Sequence, residues 1–311
     1  MENPAYVIFG GSASENLAKA IAECGGTRIG SINLTRFSDG EMRPRFEESI
    51  RGLNVCLIQS THPPAENLLE LLLMIDAAKR ASAQSITVVT PYFGYARQDR
   101  KDVPRVSIGA KLVADMISAA GATRLVTIDL HAGQIQGFFD IPVDNLEASS
   151  VFIPYFLNRG WEDLCIVSPD AGGVPRARIF ARHLRADLAL VYKHREKANE
   201  IEDMQLVGNV KGKNVVIVDD ILDTGGTLCA AANLLMNEGA RSVRAAVTHP
   251  LLSGKAVERI AQSALVEVYV TDTIAGADRH EKIKTLTIAP LFALALKKIH
   301  GYESVSSLFL S

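Results

Sequence analysis

Hydrophobic and polar positions along this chain fall into two signatures: short apolar runs without polar alternation, and longer stretches with an apolar residue every three or four positions. The first reads as strands buried on both faces of a parallel sheet, the second as helices laying one side on it. Strands are predicted over residues 5–9, 29–34, 53–59, 86–90 and 125–130, and again over 164–167, 188–192, 215–218, 243–247 and 266–270. Helices are predicted over 15–24, 67–81, 108–120, 151–158, 176–183, 228–239 and 291–300. Ser14 is the expected N-cap of the helix at 15–24, and Leu68, Leu71, Leu72 and Ile75 mark the core side of 67–81. The alternation defines an α/β chain. A crossover at 141–145 precedes a restart of the pattern, which divides the chain into 1–145 and 146–290.

The most informative stretch is 215–227, VVIVDDILDTGGT. Four β-branched residues make a buried strand, Asp219 and Asp220 stand where it should end, and Asp223, Thr224, Gly225, Gly226 and Thr227 lead into a helix. Glycines that allow close approach, unpaired first-turn N–H groups and the helix dipole together form an anion site. The two aspartates repel a phosphate and suit a hydroxylated group beside it, or a hydrated cation. A sugar phosphate meets both requirements. A GxxxxGK[ST] loop is excluded, because no Lys follows the glycines; a calcium-type loop or a plain strand-to-helix turn is the competing reading.

Other strand ends carry chemistry less explicitly. SPDAGG at 168–173 is a second strand–glycine turn–helix unit, in which Gly172 and Gly173 can hold a diphosphate and Asp170 can reach a divalent cation. His131 follows a strand directly, where open α/β sheets bind ligands, although a lone His is more often structural. PYFGYARQDRK at 91–101 puts three aromatics ahead of Arg97, Arg100 and Lys101. It suits either a polyanion with a stackable base or a charged helix start packed on its own rings. Residues 36–41, with Phe37, Asp39, Gly40 and Glu41, read by composition as a solvated hairpin tip. Residues 193–204 are polar and should be mobile: a cationic loop that closes over a ligand, or an ordinary charged hairpin tip.

Composition narrows the class without changing it. The chain has 311 residues, enough for about two domains, and a net charge of −2, so no strong basic surface points to nucleic acid. Cys24, Cys56, Cys165 and Cys229 show no CxxC pairing and read as small buried hydrophobes in a reducing compartment. No apolar run approaches the roughly 18 residues of a membrane span. A cytoplasmic protein without membrane or nucleic-acid partners is expected.

Six motifs in order, FSDGE (37–41), PYFGYARQDRK (91–101), DLHAGQIQGFFDIPVDNL (129–146), SPDAGG (168–173), DDILDTGGT (219–227) and ESVSSLF (303–309), closely resemble the class I ribose-phosphate diphosphokinases, and the resemblance spans essentially the whole chain. It implies an α/β fold of two phosphoribosyltransferase-like domains, each a mainly parallel sheet flanked by helices, related as an internal duplication, with the terminal helix (291–311 with its tail) packed back on the first. It implies transfer of the β,γ-diphosphoryl group of ATP to the 1-hydroxyl of ribose 5-phosphate, giving phosphoribosyl diphosphate and AMP.

By the same resemblance, Asp219, Asp220, Asp223, Thr224, Gly225, Gly226 and Thr227 hold ribose 5-phosphate, and Arg97, Gln98, Lys101 and His131 contact ATP. Phe37, Asp39, Gly40 and Glu41 receive the adenine from a neighbouring subunit. His131 and Asp170 bind Mg²⁺, Asp170, Gly172 and Gly173 form the diphosphate turn, and Lys193 and Arg195 are the catalytic cations, with Arg195 also on the sugar phosphate. Dimers assembling into a homohexamer are implied. Two departures stand out: His194 and Glu196 replace an Arg-like and a Pro-like residue, and 101–107 is shorter than usual, with Ser107 where Pro is common. The second bears on allosteric control by ADP and phosphate. A phosphoribosyltransferase would lack the ATP motifs, and a silent regulatory relative would have lost Lys193, Arg195, Asp219 or His131.

Overall fold

The computed structural model describes residues 5–194 and 203–310, which form two compact units. The first comprises residues to Glu147 with Thr273–Ala275 and Ile288–Phe309; the second comprises Ala148–Asp272 with Gly276–Thr287.

In the first unit, β1 (Val7–Gly10) leads through α1 (Glu15–Gly25) into an antiparallel hairpin of β2 (Ile32–Arg36) and β3 (Met42–Phe46). Then follow β4 (Asn54–Ile58), α2 (Glu66–Arg80), β5 (Ser85–Thr90), α3 (Gly109–Ala120), β6 (Arg124–Ile128), a 3-10 turn over Gly133–Phe138 and β7 (Val143–Leu146). The sheet order is β1-β4-β5-β6-β7, every pair parallel. Val55, Cys56, Leu57 and Ile58 of β4 and Val88 and Val89 of β5 have no exposed surface. Unalternated apolar strands follow from a sheet covered on both faces. In α2 the core side is Leu68, Leu71, Met74, Ile75 and Ala78, with Leu72 only half-buried.

The second unit begins with α4 (Ser149–Leu157) and β8 (Leu164–Ser168), followed by α5 (Val174–Leu184), β9 (Asp187–His194), β10 (Asp203–Val207), β11 (Asn214–Leu222) and α6 (Gly226–Asn237). Next come β12 (Ser242–Pro250), α7 (Ala256–Gln262), β13 (Leu265–Thr271) and β14 (Ile283–Leu286). The order is β10-β9-β8-β11-β12-β13-β14, parallel except for the β9–β10 pair. The last helix, α8 (Ala289–His300), packs on α1 within the first unit, where the Tyr6 and His300 rings stack at 4.7 Å.

Several expectations are revised. The 141–145 crossover is the edge strand β7, because residues 143–146 pair in register with β6. The 29–34 strand starts later and joins the hairpin, outside the main sheet. Ser14 precedes α1 but does not cap it; its Oγ accepts the Ser60 N–H at 2.9 Å. Cys56 and Cys165 are buried, but Cys24 is exposed and Cys229 half-buried. Asp203–Val207 is strand, since β10 pairs with β9; the closing loop expected over the preceding residues, with Arg195 and Glu196, lies outside the described residues.

Candidate active site

Sheet order in the second unit determines where a ligand can sit. The chain moves from β8 to β9 in one direction and from β11 to β12 in the other, so β8 and β11 flank a topological switch point, where open sheets leave a crevice at their carboxyl ends. Both glycine motifs emerge there: SPDAGG after β8 and DDILDTGGT from β11.

Parallel pairing with β12 carries β11 past both aspartates, Asp219 opposite Val247 and Leu222 opposite Pro250. The carboxylates therefore lie inside the strand's last turns instead of beyond its end. Side chains alternate across a strand, so Asp219 remains half-buried while Asp220 points inward with 6% of its surface exposed. A buried carboxylate needs a partner. Arg176 of α5 supplies one, with Nη1 3.4 Å from Asp220 Oδ1. The backbone N–H of Asp220 donates to Asp219 Oδ1 at 2.9 Å. Burial and the neighbouring Asp220 push the Asp219 carboxyl up to about 8, against the pull of Arg176. Burial and mutual repulsion thus favour a pair that carries a shared proton over one with two bare charges.

The turns beside the pair are rigidly tied. Asp170 Oδ1 accepts the Gly173 N–H at 2.8 Å, and Ser168 Oγ donates to the Asp170 carbonyl at 2.7 Å. This closes the SPDAGG turn and leaves the exposed side of Asp170 toward solvent. A Cβ on Gly173 would fall 2.7 Å from Ser168 Oγ, so a side chain there would displace the hydroxyl from its bond to the Asp170 carbonyl. Gly225 sits at φ 73° ahead of α6, and Gly226 and Thr227 form its first turn.

In the first unit, the expected nucleotide residues lie on the loops after β5 and β6 and on the β2–β3 hairpin. Gly94 is packed so closely that a Cβ would lie 2.1 Å from the Thr61 carbonyl oxygen. Its N–H donates to Thr61 Oγ1 at 2.8 Å, which ties the 91–94 turn to the end of β4. Gln98 lies against Gly109, the first residue of α3, and accepts from Ser107 Oγ at 3.3 Å. Gln134 Nε2 donates to Asp99 Oδ2 at 2.7 Å, joining the Arg97–Gln98 loop to the turn that carries His131. Arg97, Lys101 and His131 are exposed.

Phe37–Glu41 is a hairpin tip, as composition implied. The Phe37 N–H donates to the Glu41 carbonyl at 2.8 Å, Gly40 adopts φ 96°, and the Arg43 guanidinium stands 5.2 Å over the Phe37 ring. Lys193 belongs to β9, its backbone paired with Met204.

Among the described residues no group of three or more His, Cys, Asp and Glu could hold a metal ion unaided. Asp170 offers one exposed carboxylate, which suits a cation that keeps several waters and takes its other ligands from phosphates.

Sequence reasoning passed over Arg176, reading it only as a helix start. A cation in the first turn of a helix opposes the helix dipole, which is itself a sign that it has an acidic partner elsewhere.

Two parallel-sheet units, with paired carboxylates and glycine turns at a switch point, define an α/β enzyme acting on phosphorylated sugars or nucleotides. Residues 6–121 match the N-terminal domain of ribose phosphate pyrophosphokinase, and 195–310 match the phosphoribosyl synthetase-associated domain. The chain is 52% identical over 305 residues to the ribose-phosphate pyrophosphokinase of Porphyromonas gingivalis, covering 98% of this chain and 97% of that one. It is 52% identical over 306 residues to that of Campylobacter jejuni, covering 98% and 99%. The crystal structure of phosphoribosylpyrophosphate synthetase from Mycobacterium smegmatis superposes with a TM-score of 0.89 at 39% identity, covering 96% of this chain and 99% of that one. The chain belongs to the ribose-phosphate pyrophosphokinase family, enzymes that make phosphoribosyl pyrophosphate from ribose 5-phosphate and ATP.

Proposed function

We propose that the β11–α6 loop of this enzyme holds ribose 5-phosphate and that the loops after β5 and β6 hold ATP. The observation that carries the assignment is the carboxylate pair and glycine turn at the β8/β11 switch point. Asp219 and Asp220 accept hydrogen bonds from the ribose hydroxyls, while Thr224, Gly225, Gly226 and Thr227 take the 5-phosphate at the helix start and Asp223 closes the turn beside it. Arg97, Gln98 and Lys101 bind the nucleotide. Phe37, Asp39, Gly40 and Glu41 stack on and hydrogen-bond an adenine, and their place on an exposed hairpin tip supports service to a neighbouring protomer in a homohexamer built from dimers.

The ribose 1-hydroxyl attacks the β-phosphorus of ATP, the bond from that phosphorus to the α–β bridging oxygen breaks, and AMP leaves. Such transfers need in-line positioning and neutralisation of phosphoryl charge more than covalent chemistry. Lys193 and Arg195 supply cations to the moving diphosphoryl group, and Asp170, Gly172 and Gly173 orient it. His131 and Asp170 would hold Mg²⁺, which when bound neutralises phosphate charge. No helix among the described residues is long and apolar enough to cross a membrane, and a cytoplasmic place in nucleotide biosynthesis accords with the reaction.

AMP release from ATP and Mg²⁺, followed with and without ribose 5-phosphate, tests the assignment. Ribose-dependent AMP formation that falls about 10³-fold in Lys193→Ala, the scale of a transition-state cation, supports it. AMP formation that survives in Lys193→Ala removes the cation's role, and none in the parent sinks the reaction.

A further inference from the structure

The glycine turn after β11 is held from its outer side by residues that no step above uses. Ser253 N–H donates to the Asp223 carbonyl at 3.0 Å, and Arg259 of α7 donates from Nη1 to the Thr224 carbonyl at 2.7 Å. A trans peptide is planar, with its C=O and the following N–H pointing in opposite directions. The Asp223 carbonyl shares a plane with the Thr224 N–H, and the Thr224 carbonyl shares the next with the Gly225 N–H. Drawing both carbonyls toward the 253–259 side therefore turns both N–H groups to the opposite side of the turn.

That orientation is not guaranteed by the chain itself. Gly225 is at φ 73°, and a glycine populates either sign of φ at little cost, so the peptide preceding it can rotate and present its oxygen instead. An oxygen facing a phosphate is repulsive where an N–H is attractive. The bond from Arg259 selects between the two, and because the donor is charged it is stronger than a neutral one.

We propose that Arg259 is a positioning residue for the sugar phosphate, acting through the Thr224–Gly225 peptide to aim its N–H at the anion. This rests on the reading that the 219–227 loop holds the phosphate of ribose 5-phosphate. Arg259 is exposed on α7, so its removal leaves the core untouched.

The test compares the parent with Arg259→Ala, Arg259→Lys and Gly226→Asp by steady-state kinetics and by titration with ribose 5-phosphate and inorganic phosphate. Loss of one charge-assisted bond predicts that Arg259→Ala raises KM for ribose 5-phosphate and weakens phosphate binding roughly five- to twentyfold. KM for ATP and the unfolding midpoint should stay put, and Arg259→Lys, which keeps a charged donor, should restore most of the affinity. Gly226→Asp puts a carboxylate where the phosphate belongs; a Cβ there meets only Thr224 Oγ1 at 3.8 Å, so the variant folds and loses ribose 5-phosphate binding. If Gly226→Asp binds ribose 5-phosphate normally, the loop reading itself falls. If Gly226→Asp loses it while Arg259→Ala keeps the parent KM, or shifts KM for ATP equally, the positioning role alone is overturned.

Discussion

Arg176 of α5 and Asp220 of β11, 44 residues apart in sequence, meet at 3.4 Å, and this pair decides how the buried end of β11 carries its charge. Replacing Arg176 with Met leaves Asp220 buried without its cation, a change that costs on the order of 2 kcal/mol at a partly buried pair. The carboxylates should then hold their proton more tightly. The acid limb of the kcat/KM profile for ribose 5-phosphate is expected to move to higher pH in Arg176→Met, with activity partly recovered in alkaline buffer. A profile that drops uniformly at every pH would mean that Arg176 only supports the fold.

The raised Asp219 pKa carries its own stability signature. In the unfolded chain Asp219 ionises near 3.8, whereas in the folded protein it does so at about 8, so the folded state binds an additional proton between these values. That contribution is full below the unfolded pKa and is lost as pH rises through the folded one. Without ligand, urea denaturation should show stability falling as pH rises from about 4 to about 8 and levelling off above that, by roughly 1–3 kcal/mol over the pH 6–8 part of the window. Asp219→Asn, which cannot ionise, should flatten that slope while abolishing tight ribose 5-phosphate binding. An equal slope in parent and variant would assign the proton elsewhere.

Gly109 offers a probe of the ATP side at a residue that is not itself a proposed ligand contact but packs on one, Gln98. A Cβ at this position would lie 2.5 Å from Gln98 Oε1 and 3.2 Å from Gln98 Cβ, so Gly109→Ala must push the glutamine away. The expected result is a severalfold rise in KM for ATP, on the order of 1 kcal/mol, with KM for ribose 5-phosphate unchanged. Equal changes in the two constants would take Gln98 out of the nucleotide site.

Much of this was legible from apolar runs alone. VVIV at 215–218, ITVVT at 86–90 and LCIV at 164–167 are strands because only a sheet covered on both faces accepts them without alternation. The elements that escaped are short or locally contradictory. In β3 (MRPRF) arginines alternate with half-buried residues and a Pro occupies the hairpin, β14 has four residues, and α7 has seven. The glycine loop declared itself because strand pattern, acids and helix start follow one another in sequence. Arg176 and Arg259 did not, since each acts on a loop more than thirty residues away and nothing local marks the partner.

His300 Nε2 lies 3.3 Å from Cys56 Sγ and its ring stacks on buried Tyr6, so α8 is fastened to β4 and to the residue before β1 through a neutral imidazole. Burial, with a smaller push from Arg124, lowers its pKa to about 4, whereas the unfolded chain protonates this His near 6.5. Above the unfolded value both states are neutral and the clasp is intact. As pH falls from about 6.5 toward 4 only the unfolded state gains the proton, so stability declines across that window and levels off below it. Thermal melts should therefore lose several degrees between pH 7 and pH 4.5. His300→Gln, which cannot titrate, should be less stable at pH 7 by on the order of 1–2 kcal/mol and should lose part of that acid dependence. If the variant keeps the parent's full pH dependence, other groups set the acid limit and the His300–Cys56 contact serves packing alone.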